Sequence, residues 1–206
     1  MKKIGQGWQY TTYDLGNGRV LKKYNSKFIG YVHIFLECFP FNKEPIWKIP
    51  IYYRGCKNTA LDSIKKISIS SIIPECMMGN PKILNSLDYE QDKLIPIHDY
   101  FKNCDLEKGK KVIDLFVEFN KILVENSLID KSFNVGKNFA LDKDGRVVLM
   151  DLGEIYSSPV SIQKQIKNRA WAKEYVLKPI PKNLRSYFVE KMDIAFNINE
   201  IVSIAK

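Results

Sequence analysis

Asn138 and Asp151 are the residues of this sequence best placed for chemistry, because they precede and follow a predicted β-hairpin. Two apolar runs, residues 139–141 and 147–150, flank the tight-turn sequence Asp-Lys-Asp-Gly at 142–145. Such a hairpin fixes an amide at its start and a carboxylate at its end. Mg²⁺ bound to nucleotide phosphates typically takes one or two protein carboxylates together with an amide oxygen. The stretch therefore predicts a metal–nucleotide site.

A second candidate for phosphate binding lies at the N-terminus. Gly5 and Gly7 precede a strand-like stretch, and the turn sequence Leu-Gly-Asn-Gly at 15–18 leads into a return strand. Because glycine has no Cβ, backbone N–H groups of such a hairpin can lie close over phosphates. Val20 and Lys22 share one face of the return strand, so Lys22 is predicted to point under the hairpin. The alternative is a surface hairpin with a solvated lysine.

The next part of the chain is less clearly patterned. Residues 25–40 suit either a helix or a buried strand. If they form a helix, Glu37 lies near its end and is a candidate ion-pair partner of Lys22, with Glu44 as the competing candidate and an exposed acid as the alternative. Strands are predicted at 51–53, after a proline-marked loop, and at 65–73. The segment 74–79 that follows reads as a linker between two lobes, or as a plain loop.

The second half of the chain is predicted to be mainly helical. Residues 105–125 carry an apolar stripe at helical spacing, and residues 128–137 form a polar loop that leads to Asn138. The basic stretch 161–185 predicts an amphipathic helix, either a solvated face over a packed stripe or a docking surface anchored by Trp171. A last helix is expected at 183–196, with a core face of Leu184, Tyr187, Phe188 and Met192.

Composition narrows the function classes. The chain has 206 residues, 45% of them hydrophobic, and a formal net charge of +9, which favours anionic partners such as nucleotide, acidic protein or RNA. The four cysteines are far apart and form no C-x-x-C pair, so a zinc site is not expected. We expect a cytoplasmic protein with free thiols. No apolar run approaches the roughly 20 residues of a membrane span, and no signal-peptide core follows the first residues.

Taken in order, these elements resemble the protein-kinase-like superfamily over residues 1–156. Residues 4–7 look like the glycine-rich loop, residues 20–22 like the strand with the ATP-binding lysine, and residues 74–79 like the hinge. The resemblance implies a bilobal α+β fold with a β-rich N-lobe at 1–76 and a reduced, mainly helical C-lobe at 77–206. It also implies ATP and Mg²⁺ as cofactors. The residues that it implies for the nucleotide and metal sites are Gly5, Gly7, Lys22, Glu37, Glu75, Met77, Asn138 and Asp151.

One departure from that family concerns the catalytic base. The family's His-Arg-Asp loop is absent: serine stands at the aspartate position when the chain is aligned from Leu128, and Phe133 stands there when it is counted back from Asn138. Asp130 is the only carboxylate nearby, and we expect it to serve as the base if there is one. A missing base lowers the rate of phosphoryl transfer without excluding it, because positioning and charge neutralisation contribute most.

Three functions follow as expectations. The first is an ATP-dependent phosphotransferase, a minimal Ser/Thr protein kinase similar to those that some bacterial pathogens make as effectors. The second is a pseudokinase that binds nucleotide, or only a protein partner, without transfer. The third, a basic nucleic-acid-binding module, rests on charge alone and is disfavoured. A small-molecule kinase is a variant of the first. A protein partner, acidic in character, is expected, while the substrate, the oligomeric state and delivery into a host cell stay open.

Overall fold

A computed structural model describes residues 1–42, 45–69, 73–130 and 133–197, without the side chains of 37–42, 68 and 69. The chain forms two compact units. Unit 1 contains Met1–Ser71 and Asn80–Lys93, and unit 2 contains Ile72–Gly79 and Leu94–Lys206. Helices and small antiparallel sheets occur together, so the expected α+β class is confirmed. The boundary differs from the predicted one at 76/77, because residues 80–93 return to unit 1.

Unit 1 is built on a five-stranded antiparallel sheet in the order β1-β2-β3-β5-β4. The strands are β1 (Lys2–Gln6), β2 (Tyr10–Asp14), β3 (Arg19–Tyr24), β4 (Lys82–Ile83) and β5 (Tyr89–Asp92). The predicted hairpin around residues 15–18 is present as β2 and β3, and β1 adds a pairing with β2 that was not predicted. The turn between β2 and β3 places Gly16 and Gly18 at φ values of 81° and 78°, which glycine adopts without a steric penalty.

Two helices complete unit 1, and here two strand predictions are wrong. Helix α1 (Lys27–Asn42) settles the open choice at 25–40. Helix α2 (Ile49–Ile69) replaces the strand predicted at 51–53 and covers 65–69 of the strand predicted at 65–73, of which residues 70–72 lie outside the description. The helical conformation is favoured because α2 buries Ala60, Ile64 and Ile67, which recur at helical spacing. Tyr53 of α2 packs so closely on Gly30 of α1 that a Cβ there would lie 2.4 Å from its ring.

The segment predicted as a linker between two lobes, or as a plain loop, contains a short helix. Residues Glu75–Met78 form a short 3₁₀ helix that ends at Gly79 in the left-handed conformation and packs against the hairpin strand β9 (Val147–Leu149) of unit 2. The chain then returns to the sheet of unit 1 as β4 and β5, and it enters unit 2 for good after Lys93. The return of the chain to unit 1 is not evident from the sequence, because β5, Tyr-Glu-Gln-Asp, is too polar to be recognised as a buried strand.

Unit 2 is organised around α4 (Leu106–Glu125), which confirms the helix predicted at 105–125. Asp105 caps it, accepting a hydrogen bond from the backbone N–H of Lys108 at 2.8 Å. The short helix α3 (Ile97–Phe101) precedes it, and α7 (Lys182–Ala195) packs along it. Of the stripe predicted for α4, Val112, Phe116, Phe119 and Leu123 are buried, whereas Leu115 and Ile122 are partly exposed.

The basic stretch does not form one long helix. It is divided into α5 (Pro159–Lys167), a 3₁₀ turn (Ala170–Ala172) and α6 (Glu174–Leu177). The break has a local cause, because Arg169 adopts a left-handed φ of 44° that ends α5. The last predicted helix is confirmed as α7, in which Leu184, Phe188 and Met192 are buried and Tyr187 is half-buried.

Two small sheets lie beside α4. One joins β6 (Ile95–Pro96), β8 (Phe139–Leu141) and β9, and the other joins β7 (Ile129–Asp130) and β10 (Ile155–Tyr156). Ring contacts tie the first sheet to the helices, because Phe139 of β8 lies 4.8 Å from Phe116 of α4 between ring centroids. Within the described part of the chain, no helix combines the length and the apolar character needed to cross a membrane.

Candidate functional site

The hairpin predicted around residues 142–145 is present. Strands β8 and β9 pair Phe139 with Leu149 and Leu141 with Val147, and all six of their residues are buried. Gly145 occupies the turn at a φ of 76°. The backbone N–H of Asp142 donates to the carbonyl of Arg146 at 3.1 Å, which closes the turn. The two candidate metal ligands therefore flank a rigid, buried element.

The hairpin brings Asn138 and Asp151 next to each other. The backbone carbonyl of Asn138 accepts hydrogen bonds from the N–H of Met150 at 2.7 Å and from that of Asp151 at 3.3 Å. The two residues are 13 apart in sequence but adjacent in the ladder that continues β8 and β9. This adjacency is what the sequence pattern predicted.

The side chain of Asn138 is oriented by two carboxylates. Its Nδ2 donates to Oδ1 of Asp130 at 2.5 Å and to Oε2 of Glu154 at 3.1 Å. Because carboxylates only accept, the amide nitrogen must face them and its Oδ1 is turned to a different side. Glu154 was missed by the sequence analysis. It lies three residues after Asp151, at the end of the 3₁₀ turn Leu152–Glu154, and nothing in the sequence marks that position.

Asp130, the predicted base, is a buried residue of β7. It pairs with Ile155 of β10, and its side chain is 0% exposed. Its Oδ1 accepts from Asn138, as described above, and its Oδ2 accepts from the backbone N–H of Asn134 at 3.1 Å. A general base must come within hydrogen-bond reach of the proton that it removes. Asp130 does so only if the surrounding loop opens.

Phe133 follows Asp130 in a conformation that bulky residues rarely adopt. Its φ is 51°, and its side chain is fully buried. Its ring lies 5.4 Å from that of Trp171 and 5.3 Å from that of Phe196, between centroids. These contacts hold the residue in a strained backbone region. The position that one sequence alignment assigned to a base is thus an apolar anchor for the loop.

Trp171 distinguishes the two alternatives predicted for the basic stretch, a solvated face over a packed stripe and a docking surface. Its side chain is buried, and its Nε1–H donates to Oδ1 of Asp193 in α7 at 2.9 Å. Arg169 also donates to the carboxylate of Asp193. Trp171 therefore ties the 3₁₀ turn to α7 and to the loop at Phe133. The alternative in which Trp171 anchors a docking surface is wrong.

Asp151 and Asn138 carry oxygen atoms of the type that Mg²⁺ binds, and their role as its ligands stays a prediction. Oδ1 of Asp151 accepts from the backbone N–H of Gly153 at 3.0 Å, and the residue is half-buried. Among the residues that the structure describes, no group of three or more Asp, Glu, His or Cys side chains forms a metal cage. Mg²⁺ needs none, because it commonly binds one or two protein oxygens together with phosphate oxygens and water.

The residues predicted to contact phosphates in unit 1 are placed as follows. Lys22 is buried on β3 between Thr12 of β2 and Tyr89 of β5, and the alternation of buried Val20 and Lys22 with Leu21 and Lys23 agrees with the predicted faces. Gly5 lies in β1 and Gly7 in the turn after it. A Cβ at either would meet only ordinary contacts, 3.8 Å away. The fold itself therefore does not require glycine at these two positions.

Four further predictions concern the linker and the partner of Lys22. Glu75 is exposed and Met77 half-buried, both on the 3₁₀ helix of unit 2, and their predicted contact with adenine stays a prediction. Glu37 lies within α1, but its side chain is outside the description, and Glu44 lies outside the described residues. Which of the two pairs with Lys22 stays a prediction too.

Comparisons with known proteins assign no family. No model of a known protein family matches the chain, and no curated protein matches its sequence. Among solved structures, the complex of Rv3197 with erythromycin from Mycobacterium tuberculosis is similar at 12% identity with a TM-score of 0.49. The match covers 86% of this chain and 52% of that one, so the chain spans about half the length of that protein.

Proposed function

We propose that the chain binds a magnesium–nucleotide complex in the manner of a pseudokinase, with Asn138 and Asp151 as the protein ligands of Mg²⁺. The observation that carries this proposal is the hydrogen bond from the N–H of Asp151 to the carbonyl of Asn138 at 3.3 Å. It keeps the backbones of the two residues adjacent at the end of a buried hairpin. Both supply the hard oxygen atoms that Mg²⁺ prefers.

The remaining contacts to nucleotide rest on the resemblance to the protein-kinase-like superfamily. In that family a lysine and a glycine-rich loop contact the phosphates, which here are Lys22, Gly5 and Gly7. The bound metal ion would neutralise phosphate charge. A bilobal kinase-like fold, with units 1 and 2 as its lobes, is part of this proposal.

Weak or absent phosphoryl transfer follows from the state of Asp130. Its side chain has no exposed surface, and both oxygens accept hydrogen bonds from protein donors. A carboxylate engaged in this way orients Asn138 rather than accepting a proton from a substrate hydroxyl. Asp130 therefore acts in this proposal as a positioning residue.

A protein phosphotransferase acting on Ser or Thr is the second candidate. The observation that favours it is the 2.5 Å distance between Asp130 Oδ1 and Asn138 Nδ2, since it places a carboxylate directly beside a proposed metal ligand. Release of Asp130 from its donors Asn138 and Asn134 would then present a base next to the bound nucleotide. Positioning and charge neutralisation would supply most of the rate.

Thermal unfolding with and without Mg²⁺–ATP tests nucleotide binding. A ligand that binds only the folded state raises its stability, by about 2.7 kcal/mol at a concentration 100 times the dissociation constant. We expect stabilisation of the wild type, loss of that stabilisation in Asp151→Ala, and retention in Asp144→Ala. Asp144 is a matched control, because it lies in the same hairpin but is exposed at the turn. No stabilisation of the wild type would overturn the proposal.

Transfer of label from γ-labelled ATP separates the two candidates. Stabilisation without transfer to the protein itself or to a generic substrate supports the pseudokinase. Transfer that is lost in Asp151→Ala and retained in Asp144→Ala establishes the phosphotransferase instead. The next variant would then be Asp130→Ala, to test whether that carboxylate is the base.

A further inference from the structure

Helix α1 is apolar on two opposite sides. Gly30 and Ile34 are buried on the inner side, where Gly30 meets Tyr53 of α2. Phe28 and Val32 lie on the outer side, one turn apart, and Phe28 is 77% exposed. We call this side the outer face of α1; its exposed members are Phe28, Val32, Phe35 and Leu36. Surface helices of globular proteins normally present polar residues on this side, so the outer face calls for an apolar environment.

A second exposed apolar group begins ten residues further along the chain. The 3₁₀ turn Ile46–Lys48 joins α1 to α2, and Trp47 at its centre is 76% exposed. Ile46 beside it and Ile51 in the first turn of α2 are exposed as well. We call these three residues the Trp47 turn. Tryptophan is enriched where one end of a side chain meets hydrocarbon and the other meets water.

The charges around these two groups are mostly positive. Over the whole stretch 26–67 the acidic residues are Glu37, Glu44 and Asp62, whereas the basic ones are Lys27, Lys43, Lys48, Arg54, Lys57, Lys65 and Lys66. Lys27 directly precedes Phe28, and Lys48 directly follows Trp47. Apolar side chains that protrude among lysines and arginines are the pattern of proteins that lie on an anionic membrane surface.

We propose that the outer face of α1 and the Trp47 turn bind the surface of an anionic lipid bilayer. The apolar side chains would enter the boundary between headgroups and acyl chains, and the basic side chains would face the acidic headgroups. This inference does not depend on nucleotide binding. It describes a protein that lies on a membrane, which requires no spanning helix.

A bilayer fits these observations better than a protein partner does. Protein interfaces need a matched shape on the other side, whereas a bilayer accepts protruding side chains without one. A second copy of the chain is disfavoured by charge, since two equally basic surfaces repel each other. An acidic protein and a second copy are therefore outcomes that the experiment must distinguish.

Co-sedimentation of the full chain with lipid vesicles tests the proposal. The vesicles contain phosphatidylcholine alone or phosphatidylcholine with phosphatidylserine, at low and at high salt. We expect binding to the second kind only, weakened by salt, and weakened about fivefold for each basic residue near the surface that is neutralised. Phe28→Ser with Trp47→Ser should lower the partition coefficient at least about tenfold, because each buried methylene group strengthens membrane binding.

The control replaces exposed apolar side chains of unit 2. Val160 is 74% and Tyr175 52% exposed, and Val160→Ser with Tyr175→Ser should leave vesicle binding unchanged. Thermal unfolding of both double variants verifies that they are folded. A selective loss in the Phe28 and Trp47 variant supports the proposal.

Three results would overturn it. The first is a folded wild type that does not sediment with the phosphatidylserine vesicles, which would leave an acidic protein as the partner to seek. The second is binding that depends on salt but is unchanged by Phe28→Ser with Trp47→Ser, because this would be electrostatic attraction of a basic protein to anionic vesicles without insertion of the apolar side chains. The third is a dimer in sedimentation velocity that this variant dissociates while vesicle binding is absent, which would assign the surface to a second copy.

Discussion

The side-chain amide of Asn138 donates to Oδ1 of Asp130 at 2.5 Å, which joins a proposed metal ligand to the predicted base in one buried network. Glu154 accepts from the same amide, and the backbone N–H of Asn134 donates to the other oxygen of Asp130. A carboxylate used in this way sets the orientation of the amide. The network therefore links the stability of the loop to the geometry of the proposed site.

Replacing Asp130 with alanine should destabilise the protein. The backbone N–H of Asn134 would lose its acceptor, and the side-chain amide of Asn138 would lose one of its two acceptors. An unsatisfied buried donor costs about 1–3 kcal/mol. We expect a fall of about 2 kcal/mol or more in the free energy of unfolding, measured by urea denaturation. Asp144→Ala, at the exposed turn, should change it by no more than about 0.5 kcal/mol. Unchanged stability combined with loss of phosphoryl transfer would instead assign Asp130 to catalysis.

Substitution of Gly145 should separate backbone conformation from packing. A Cβ at Gly145 meets nothing within 4 Å, but its φ of 76° is left-handed, so Gly145→Ala should destabilise by about 1 kcal/mol. Gly55 in α2 also has open space around it and has helical backbone, so Gly55→Ala should stabilise by about 0.5–1 kcal/mol. Urea denaturation of both variants measures whether each substitution lowers or raises the free energy of unfolding. A stabilising Gly145→Ala would contradict the hairpin geometry.

The elements that the sequence predicts correctly have local signals. The turns at Gly16 and Gly145 need a positive φ that glycine supplies at once, and α4 begins at a capping aspartate, Asp105, before a periodic apolar stripe. The adjacency of Asn138 and Asp151 follows from such a turn, because a tight hairpin brings its two ends together. These parts of the site could be predicted without tertiary information.

The missed elements depend on contacts far apart in the chain. The β-branched and aromatic residues at 51–53 suggest a strand, yet Tyr53 lies on a helix, where its ring packs against Gly30 of α1. Trp171 sits in a basic stretch that suggests a surface, but Asp193 and Phe133 give it a buried site. Glu154 becomes visible only when β10 pairs with β7 and brings it to Asn138. No spacing pattern in the sequence predicts these side-chain contacts.

The Asp142 carboxylate should make the stability of the hairpin depend on pH. Partial burial acts to raise the pKa of Asp142, but hydrogen bonds from the backbone N–H and the guanidinium of Arg146 outweigh it and hold that pKa below its usual 3.8. A carboxyl with a lowered folded-state pKa stabilises the fold above its unfolded pKa, and this contribution is lost as the pH falls through the folded value.

Asp142→Asn is the variant that measures this contribution. It should be less stable than the wild type by about 1 kcal/mol at neutral pH, because the charged guanidinium of Arg146 then donates to a neutral amide oxygen instead of a carboxylate. The difference should shrink towards zero as the pH is lowered below 3.8. Urea denaturation of both proteins across that range is the measurement. A difference that stays constant with pH would show that the charge of Asp142 contributes nothing.

The contact between Gly136 and Pro179 should be sensitive to a single methyl group. A Cβ on Gly136 would lie 2.4 Å from Cγ and 2.5 Å from Cβ of Pro179, whose ring cannot rotate away. Nδ1 of His98 also donates to the carbonyl of Gly136 at 2.7 Å, so the backbone there is held on two sides. Gly136→Ala should therefore destabilise by about 1–3 kcal/mol. Because Asn138 follows two residues later, stabilisation by Mg²⁺–ATP should fall too.

A double-mutant cycle tests this contact by urea denaturation of Gly136→Ala, Pro179→Gly and the combined variant. Glycine at 179 removes both atoms that the new methyl group would meet, so Gly136→Ala should cost less in that background than in the wild type. The expected coupling free energy is about 1 kcal/mol, in the range of directly contacting pairs. If the losses in the free energy of unfolding from the two single substitutions simply add, the loop moves away from Pro179 without an energetic penalty. Asn138 would then not depend on Pro179 for its position.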